Sequence, residues 1–398
     1  MQGYPADEAA AELAAAEADV AWDALRNLRV LIVHDWLVAW AGSERCVEQM
    51  LELFPQADLV VGLKSPIIRD FNAVTRRARE TWLARMPGAR MHHRWYLPLQ
   101  GVAFASLDTS GYDLIISSSH AFSKMVRRGP NAVHVSYCYS PPRYLWDLSA
   151  MYRQDARGIQ RVALASATGV LRSVDRWSAR GVDRFIAISR YIGDRVKRCY
   201  GRDADVVYPP VSAKPARSQA GSKDDFLLVL GRLVPYKRVD LAVQAAERLG
   251  LRLVVAGDGP DRARLEMLAG PHTEFLGAVS EEQAACLMET CRLFVFCADE
   301  DFGIAPVEAN AHGAPVVGYG RGGLLETMRE DVTAEFFMEQ TVDALAGAIR
   351  RALGRSWDTA RLRENAERFS PEKFRAGIIR SIGAALAARE RSDAAVLA

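Results

Sequence analysis

The chain has 398 residues, 49% of them hydrophobic and 25% charged, the make-up of a globular protein rather than a disordered one. That length exceeds what one hydrophobic core usually organises, so two folded domains are expected. A formal net charge of +2 decides nothing about nucleic acid, and electrostatic arguments must come from local clusters.

Residues 1–28, rich in Ala and Glu, read as an appended helical extension ahead of the first strand, "RVLIVHD" at 29–35. No run approaches the roughly 18 apolar residues that cross a bilayer, and the start lacks a secretory signal, so a cytoplasmic location is expected. Short β-branched runs then alternate with helical segments: "ADLVVGL", "YDLIISSS", "NAVHVSYC", "DRFIAIS" and "ADVVYPP", and later "FLLVLG", "LRLVVAG", "RLFVFC" and "APVVGYG". Near-continuous apolar strands between helices predict parallel sheets covered on both faces. Between the two sets, "SAKPARSQAGSKDD" at 212–225 lacks periodicity and reads as a linker. The expected fold class is therefore α/β, with two doubly wound Rossmann-like domains at 29–212 and 226–375, a linker at 213–225, and a C-terminal helix and tail at 376–398. Such sheets bind ligands beyond the carboxyl ends of their strands, which points to the loops that follow strands. Cys46, Cys138, Cys199, Cys286, Cys291 and Cys297 form no Cys-x-x-Cys and no grouping with histidine, so buried thiols are expected rather than zinc or disulfides.

In the first domain, "HDWLVAWAGSERCVEQML" sets Gly42 and Ser43 before an amphipathic helix, where a small-residue turn lets backbone approach phosphate. Glu44 reads as a helix-start residue. The stretch 69–99 mixes arginines with Trp82, Trp95, Tyr96 and Leu97, which suits either an anionic membrane surface or an ordinary basic helical face. "IISSSHAFSKMV" ends a strand in polar residues and sets His120 at the mouth of a cleft between domains, better placed than His34, His92, His93 or His134. "YCYSPPRYLWD" offers Arg143, Tyr144, Trp146 and Asp147 either to a sugar acceptor or to loop packing.

In the second domain, "VLGRLVPYKRVD" brings Arg232, Lys237 and Arg238 to a strand's end. Cations there suit a diphosphate, Arg by forked hydrogen bonds and Lys as a point charge, although solvated basic loops look the same. "VVAGDGPDRARLE" places Gly257 and Gly259 in a turn that lacks the third glycine of a dinucleotide fingerprint. It reads as close backbone approach to a nucleotide or as a plain tight turn. In "DEDFGIAPVE", 299–308, Gly303 can take a sharp turn and Pro306 favours the first position of a helix, predicted from near Ala305 to Gly313. That leaves Glu300 in the loop, Glu308 in the first turn, and the backbone after Phe302, at Gly303, Ile304 and Ala305, as a phosphate seat. Carboxylates on both sides of such a seat fit a nucleoside diphosphate sugar, with hydroxyls at each end. Paired carboxylates also serve glycoside hydrolysis, which the neighbouring cations disfavour, and either acid could merely complement a helix dipole or the surface.

Taken together, over about residues 29–375, these motifs resemble glycosyltransferase family 4, retaining nucleotide-sugar enzymes of the GT-B fold. The most specific part is "EDFGIAPVEANAHGAPVVGYGRGGLLETM", with "GRLVPYK" and "GDGP" before it in the expected order. "HDWLVAWAGSER", "SSSHAFSK" and "SPPRYLWD" further resemble the WbaZ-like bacterial O-antigen mannosyltransferase branch. The resemblance implies Arg232 and Lys237 as a diphosphate clamp, Glu300 on the transferred sugar, Glu308 on the ribose, and His120 near the donor sugar. The chain departs from the family in having Ala41-Gly42-Ser43 where a Gly-Gly turn is usual. The resemblance also implies a C-terminal helix, "SPEKFRAGIIRSIGAALAARE", packed on the first domain, and transfer without a metal or other cofactor. The donor so implied is GDP-mannose. The acceptor is a glycan, lipid-linked or soluble, at or near the inner face of the cell membrane. A UDP-sugar or another GDP-sugar as donor, or a nucleotide-sugar-binding protein without catalysis, are the competing readings. Nucleic-acid binding is not expected, because no continuous basic-aromatic face crosses the domains.

Overall fold

The computed structural model describes residues 25–68, 71–92, 96–146, 159–212 and 223–397. The extension at 1–24, His93, Trp95, Asp147 and most of the linker lie outside the described residues. The chain divides into two compact units, one from Met1–Tyr208 with Phe374–Ala398, the other Pro209–Lys373.

The first unit is built on a seven-stranded parallel sheet in the order β3-β2-β1-β4-β5-β6-β7. Its strands are β1 Val30–His34, β2 Asp58–Val61, β3 Arg79–Glu80, β4 Leu114–Ser119, β5 Val133–Cys138, β6 Arg184–Ala187 and β7 Ala204–Val206. The second unit carries six parallel strands in the order β10-β9-β8-β11-β12-β13. These are β8 Leu227–Leu230, β9 Leu253–Ala256, β10 Thr273–Gly277, β11 Leu293–Phe296, β12 Val316–Tyr319 and β13 Ala334–Phe337. The central strands β1, β4, β5, β9 and β11 are buried at every residue. A sheet covered on both faces has no polar side, so β9 and β11 read as continuous apolar runs, whereas β4 and β5 also bury Ser117, Ser118, Ser119, His134 and Ser136. Strand order reverses between β1 and β4 and between β8 and β11, and crevices at such reversals are where doubly wound sheets bind ligands.

The helix Pro371–Leu397 explains why the chain beyond Phe374 belongs to the first unit. Phe374 packs edge-on against Tyr137 at 5.5 Å, Ser381 Oγ donates to Asp205 at 2.7 Å, and Arg375 pairs with Glu52 at 3.0 Å. Gly377 permits the approach, because a Cβ there would stand 2.8 Å from a methyl of Val207. Phe374, Ile378 and Ile382 are at most 1% exposed, and burial of such side chains contributes about 1.5–3 kcal/mol each.

Several expectations are corrected. The described part of 69–99 is no single basic helix but a short helix Ala73–Arg77, the strand β3, a 3-10 turn Trp82–Arg85 and the start of helix Leu97–Ala105. Three of its arginines are used internally: Arg77 donates to the carbonyls of Pro55 and Ala57, Arg79 pairs with Asp58, and Arg90 pairs with Glu80 at 2.6 Å. Cys286 is exposed, whereas the other five cysteines are buried, all of them free thiols.

Candidate functional site

In the second unit, the loop leaving β8 starts at Gly231, with φ +145°, and exposes Arg232. Leu233 anchors the loop in the core, and the 3-10 turn Pro235–Lys237 presents Lys237. Arg238, expected as a further cation, instead takes a left-handed conformation (φ 51°) and pairs with Asp240 at 3.2 Å, which removes it from the cluster. The loop leaving β11 brings Glu300 beside this turn, and Lys237 Nζ lies 3.2 Å from Glu300 Oε1. Both are partly exposed, so in this pair each side chain retains faces for a ligand. A shallow concavity at the ends of β8 and β11 is lined by Gly231, Arg232, Lys237 and Ala298.

Backbone contacts hold these loops. Leu233 N–H donates to Asp258 O at 2.9 Å, Asp261 N–H to Leu233 O at 3.1 Å, and Gly231 N–H to Ala256 O at 2.9 Å. Gly257 and Gly259 are glycines because the loop lies on them: a Cβ on either would stand 2.8 Å from the carbonyl carbon of Gly231 or Leu233. The close approach expected toward a nucleotide is thus first an approach to the Arg232 loop. Gly322 and Gly323 do the same for the Glu300 loop. Gly323 N–H donates to Glu300 O at 2.8 Å, and a Cβ on Gly322 would meet that oxygen at 2.5 Å.

The helix Ile304–Ala311 follows Gly303, whose φ of +88° makes the predicted turn. Pro306 is its third residue rather than its first, tolerated because the first four N–H groups of a helix have no partner within it. Glu308 accordingly falls in the second turn, not the first. Phe302 turns its ring into the core, 3% exposed and 5.4 Å from Phe369, leaving only its backbone for a ligand.

In the first unit, the residue after β1 that sequence reasoning passed over, Asp35, is fully buried. Its carboxylate accepts the N–H groups of His120, Ala121, Phe122 and Ser123 at 2.7, 2.9, 2.8 and 2.7 Å. These bonds and the His120 ring, whose Nδ1 is 3.4 Å from Oδ2, hold its carboxyl below the usual range although burial alone would raise it. His120 itself is pushed below the usual histidine value, chiefly by burial. Of the histidines weighed against it, His34 and His134 are fully buried: His34 Nδ1 meets Ser118 Oγ at 3.0 Å, and His134 Nε2 meets Ser117 Oγ at 2.8 Å.

Gly42 and Ser43 open the helix Gly42–Leu53, and Glu44 caps it, accepting Ala41 N–H at 3.0 Å and the Ser43 hydroxyl at 2.9 Å. Glu44 also lies 3.5 Å from His34 Nε2 and is held below the usual range against burial by these contacts. Of the acceptor candidates, Arg143 and Trp146 begin and end the one-turn helix Arg143–Trp146, with Tyr144 between them. Trp146 is fixed by packing: its Nε1 donates to buried Asp175 at 2.8 Å, which also takes Lys124 at 2.6 Å and the Tyr200 hydroxyl at 2.9 Å. Among the described residues, no three His, Cys, Asp or Glu side chains converge as a metal site.

Residues 212–369 match the family model described as Glycosyl transferases group 1. All of the second-unit residues above fall in this group 1 segment. The D-inositol 3-phosphate glycosyltransferase of Mycolicibacterium paratuberculosis is 32% identical over 168 residues, 38% of each chain. A GDP-mannose-dependent alpha-(1-6)-phosphatidylinositol monomannoside mannosyltransferase of Mycobacterium tuberculosis is 28% identical over 237 residues, 49% of this chain and 62% of its own. The chain thus spans less than two thirds of these curated relatives. Among solved structures, Anabaena HepE in complex with UDP superposes with a TM-score of 0.62 at 16% identity, covering 90% of this chain and 100% of that one. The lipopolysaccharide outer core galactosyltransferase WaaB gives 0.61 at 14% identity, covering 89% and 99%. The two doubly wound parallel-sheet domains, with the last helix on the first, are the GT-B fold.

Proposed function

We propose that the chain is a nucleotide-sugar-dependent glycosyltransferase that moves a hexose, mannose from GDP-mannose in the favoured case, onto a glycan carried by a polyprenyl diphosphate. The observation that carries this reading is the meeting of Lys237 and Glu300 at 3.2 Å beside exposed Arg232, at the strand ends where a doubly wound sheet binds its ligand. Arg232 and Lys237 take the diphosphate, Glu300 the hydroxyls of the sugar, Glu308 those of the ribose, and the backbone of Gly303, Ile304 and Ala305 the phosphate oxygens.

In the step proposed, the acceptor oxygen attacks the anomeric carbon on the face from which the diphosphate leaves. The bond from that carbon to the phosphate oxygen breaks, its electron pair stays on the diphosphate, and the acceptor proton passes to a departing phosphate oxygen. Configuration is retained. Cations aimed at charge that develops on the leaving group lower the barrier most, and here the side chains supply them, so the step needs no metal or other cofactor. Trapping a covalent glycosyl-enzyme adduct by mass spectrometry would overturn this same-face route.

The mannose reading is supported by the GDP-mannose dependence in the name of the mycobacterial mannosyltransferase. A UDP-sugar is the second reading, supported by the UDP complex of HepE. Calorimetric titration with GDP, UDP and ADP separates the two: tighter GDP binding is expected, and a preference for UDP would transfer the assignment. A location at a membrane surface is supported by an apolar helix, Leu97–Ala105, that exposes Leu99 and Val102 one turn apart beside partly exposed Trp82, whose Nε1 reaches Ser106 Oγ at 3.2 Å. Sedimentation with anionic vesicles is expected to fall in a Leu99→Ser/Val102→Ser variant; equal sedimentation of both proteins refutes that location.

A further inference from the structure

Without ligand, one cation of the second unit's site is already matched by an anion. Lys237 Nζ lies 3.2 Å from Glu300 Oε1, their side chains 21% and 22% exposed. The ammonium is folded back over the end of β8, where a Cβ on Gly231 would stand 3.2 Å from it. The backbone of Glu300 is held separately, its carbonyl accepting Gly323 N–H at 2.8 Å. The neighbouring charges have partners of their own: Arg238 pairs with Asp240 at 3.2 Å and Arg321 with Asp299 at 3.3 Å. Arg232 is exposed. An anion that needs both Arg232 and Lys237 must therefore share Lys237 with a carboxylate.

We propose that Glu300 discriminates between the nucleotide sugar and the spent nucleoside diphosphate, retaining the first and expelling the second. This rests on the transferase reading, in which Lys237 meets the diphosphate and Glu300 the sugar; every group concerned belongs to the second unit. The ion pair works against any diphosphate, because Lys237 must be shared. A bound sugar compensates with hydroxyls that donate to the carboxylate, and hydrogen bonds to a charged group are the stronger kind. The spent nucleotide offers nothing in exchange. When the bond between the anomeric carbon and the phosphate oxygen breaks, the electron pair stays on that oxygen, which faced the sugar and then faces Glu300. The proton taken from the acceptor leaves for water at neutral pH, because a terminal phosphate titrates at about 6. The product therefore carries about one more negative charge than the donor, nearest the carboxylate, where like charges repel.

The test is calorimetric titration of the full chain with free GDP and free UDP, in wild type and in Glu300→Gln, alongside donor kinetics. The variant is expected to bind the diphosphate that wild type prefers about three- to fivefold more tightly, the scale of one partly exposed ion pair. Donor kcat/KM is expected to fall at least about tenfold, the worth of hydrogen bonds to a charged group. Opposite signs for the two ligands separate this role from a structural one, since a loosened site weakens both. Glu300→Ala removes the same charge and is expected to tighten diphosphate binding as well, so the outcome does not hang on how one variant packs. In steady state, the released diphosphate is expected to inhibit Glu300→Gln at a lower concentration than it inhibits wild type. Diphosphate affinity that is unchanged or weaker in both variants overturns the proposal and leaves the transferase reading in place. Tighter diphosphate binding by the variants of a chain whose wild type turns over no nucleotide sugar would overturn the transferase reading, and the discrimination with it, while the effect of the ion pair stands.

Discussion

Replacing Gly257 by alanine tests whether this glycine serves the Arg232 loop or only a ligand. Its φ of +134° lies where side chains are strained, at a cost on the order of 1–3 kcal/mol. The new methyl would also stand 2.8 Å from the carbonyl carbon of Gly231 and closer still to its oxygen. Forcing such an atom into packed structure costs roughly 1–3 kcal/mol more. The sum, about 2–6 kcal/mol, is a large part of the 5–15 kcal/mol that typically separates folded from unfolded protein. Gly250→Ala is the control, because Gly250 has a φ of +64° and nothing within 4 Å of its added Cβ; it should cost only about 1 kcal/mol. Urea denaturation followed by circular dichroism should therefore place Gly257→Ala well below Gly250→Ala in midpoint. If the chain relieves the clash by moving the loop instead, nucleoside diphosphate affinity should fall with the displacement of Arg232. Equal midpoints for the two variants together with unchanged affinity would refute the reasoning.

Acid should weaken the first unit through His134, whose burial pushes it down to about 4. The folded protein keeps that ring neutral, so its contribution is complete above the unfolded value near 6.5 and is lost as pH falls from 6.5 toward 4, about 3 kcal/mol in all. His134→Gln should flatten the urea midpoint between pH 6.5 and 5; an unchanged slope would remove His134 as the cause. Phe374→Ala should destabilise by about 3–5 kcal/mol, and a melting temperature within a degree of wild type would contradict the account of how the last helix is held.

Most strands that sequence reasoning found are mainly buried and begin with an apolar run, even where, as in β4 and β5, buried Ser and His follow. Those it missed have physical excuses. β3 has two residues, β10 alternates between half-buried and exposed positions, and β13 contains Glu335, a buried acid paired through one oxygen with Arg351 at 2.6 Å. Lys237 and Glu300 were each legible as residues at strand ends. Their contact depends on β8 and β11 being neighbours, a pairing set by the fold and by no local pattern. Asp35 was invisible for the same reason, since its four partners are 85 to 88 residues away. An acid directly after an apolar strand, at the point where the sheet reverses, was the available signal. Pro306 misled by two residues, because proline suits any place in a helix's first turn and not only its opening.

The most direct test of the central claim is release of nucleoside diphosphate from GDP-mannose by the full chain, with and without a polyprenyl-diphosphate-linked glycan, in wild type and Lys237→Ala. The account predicts release by wild type that rises with acceptor, and a loss on the order of 10²–10³-fold in Lys237→Ala, the scale for removing one group that stabilises transition-state charge. A folded wild-type protein that releases no diphosphate from any GDP-, UDP- or ADP-sugar, or equal release by Lys237→Ala, would contradict it.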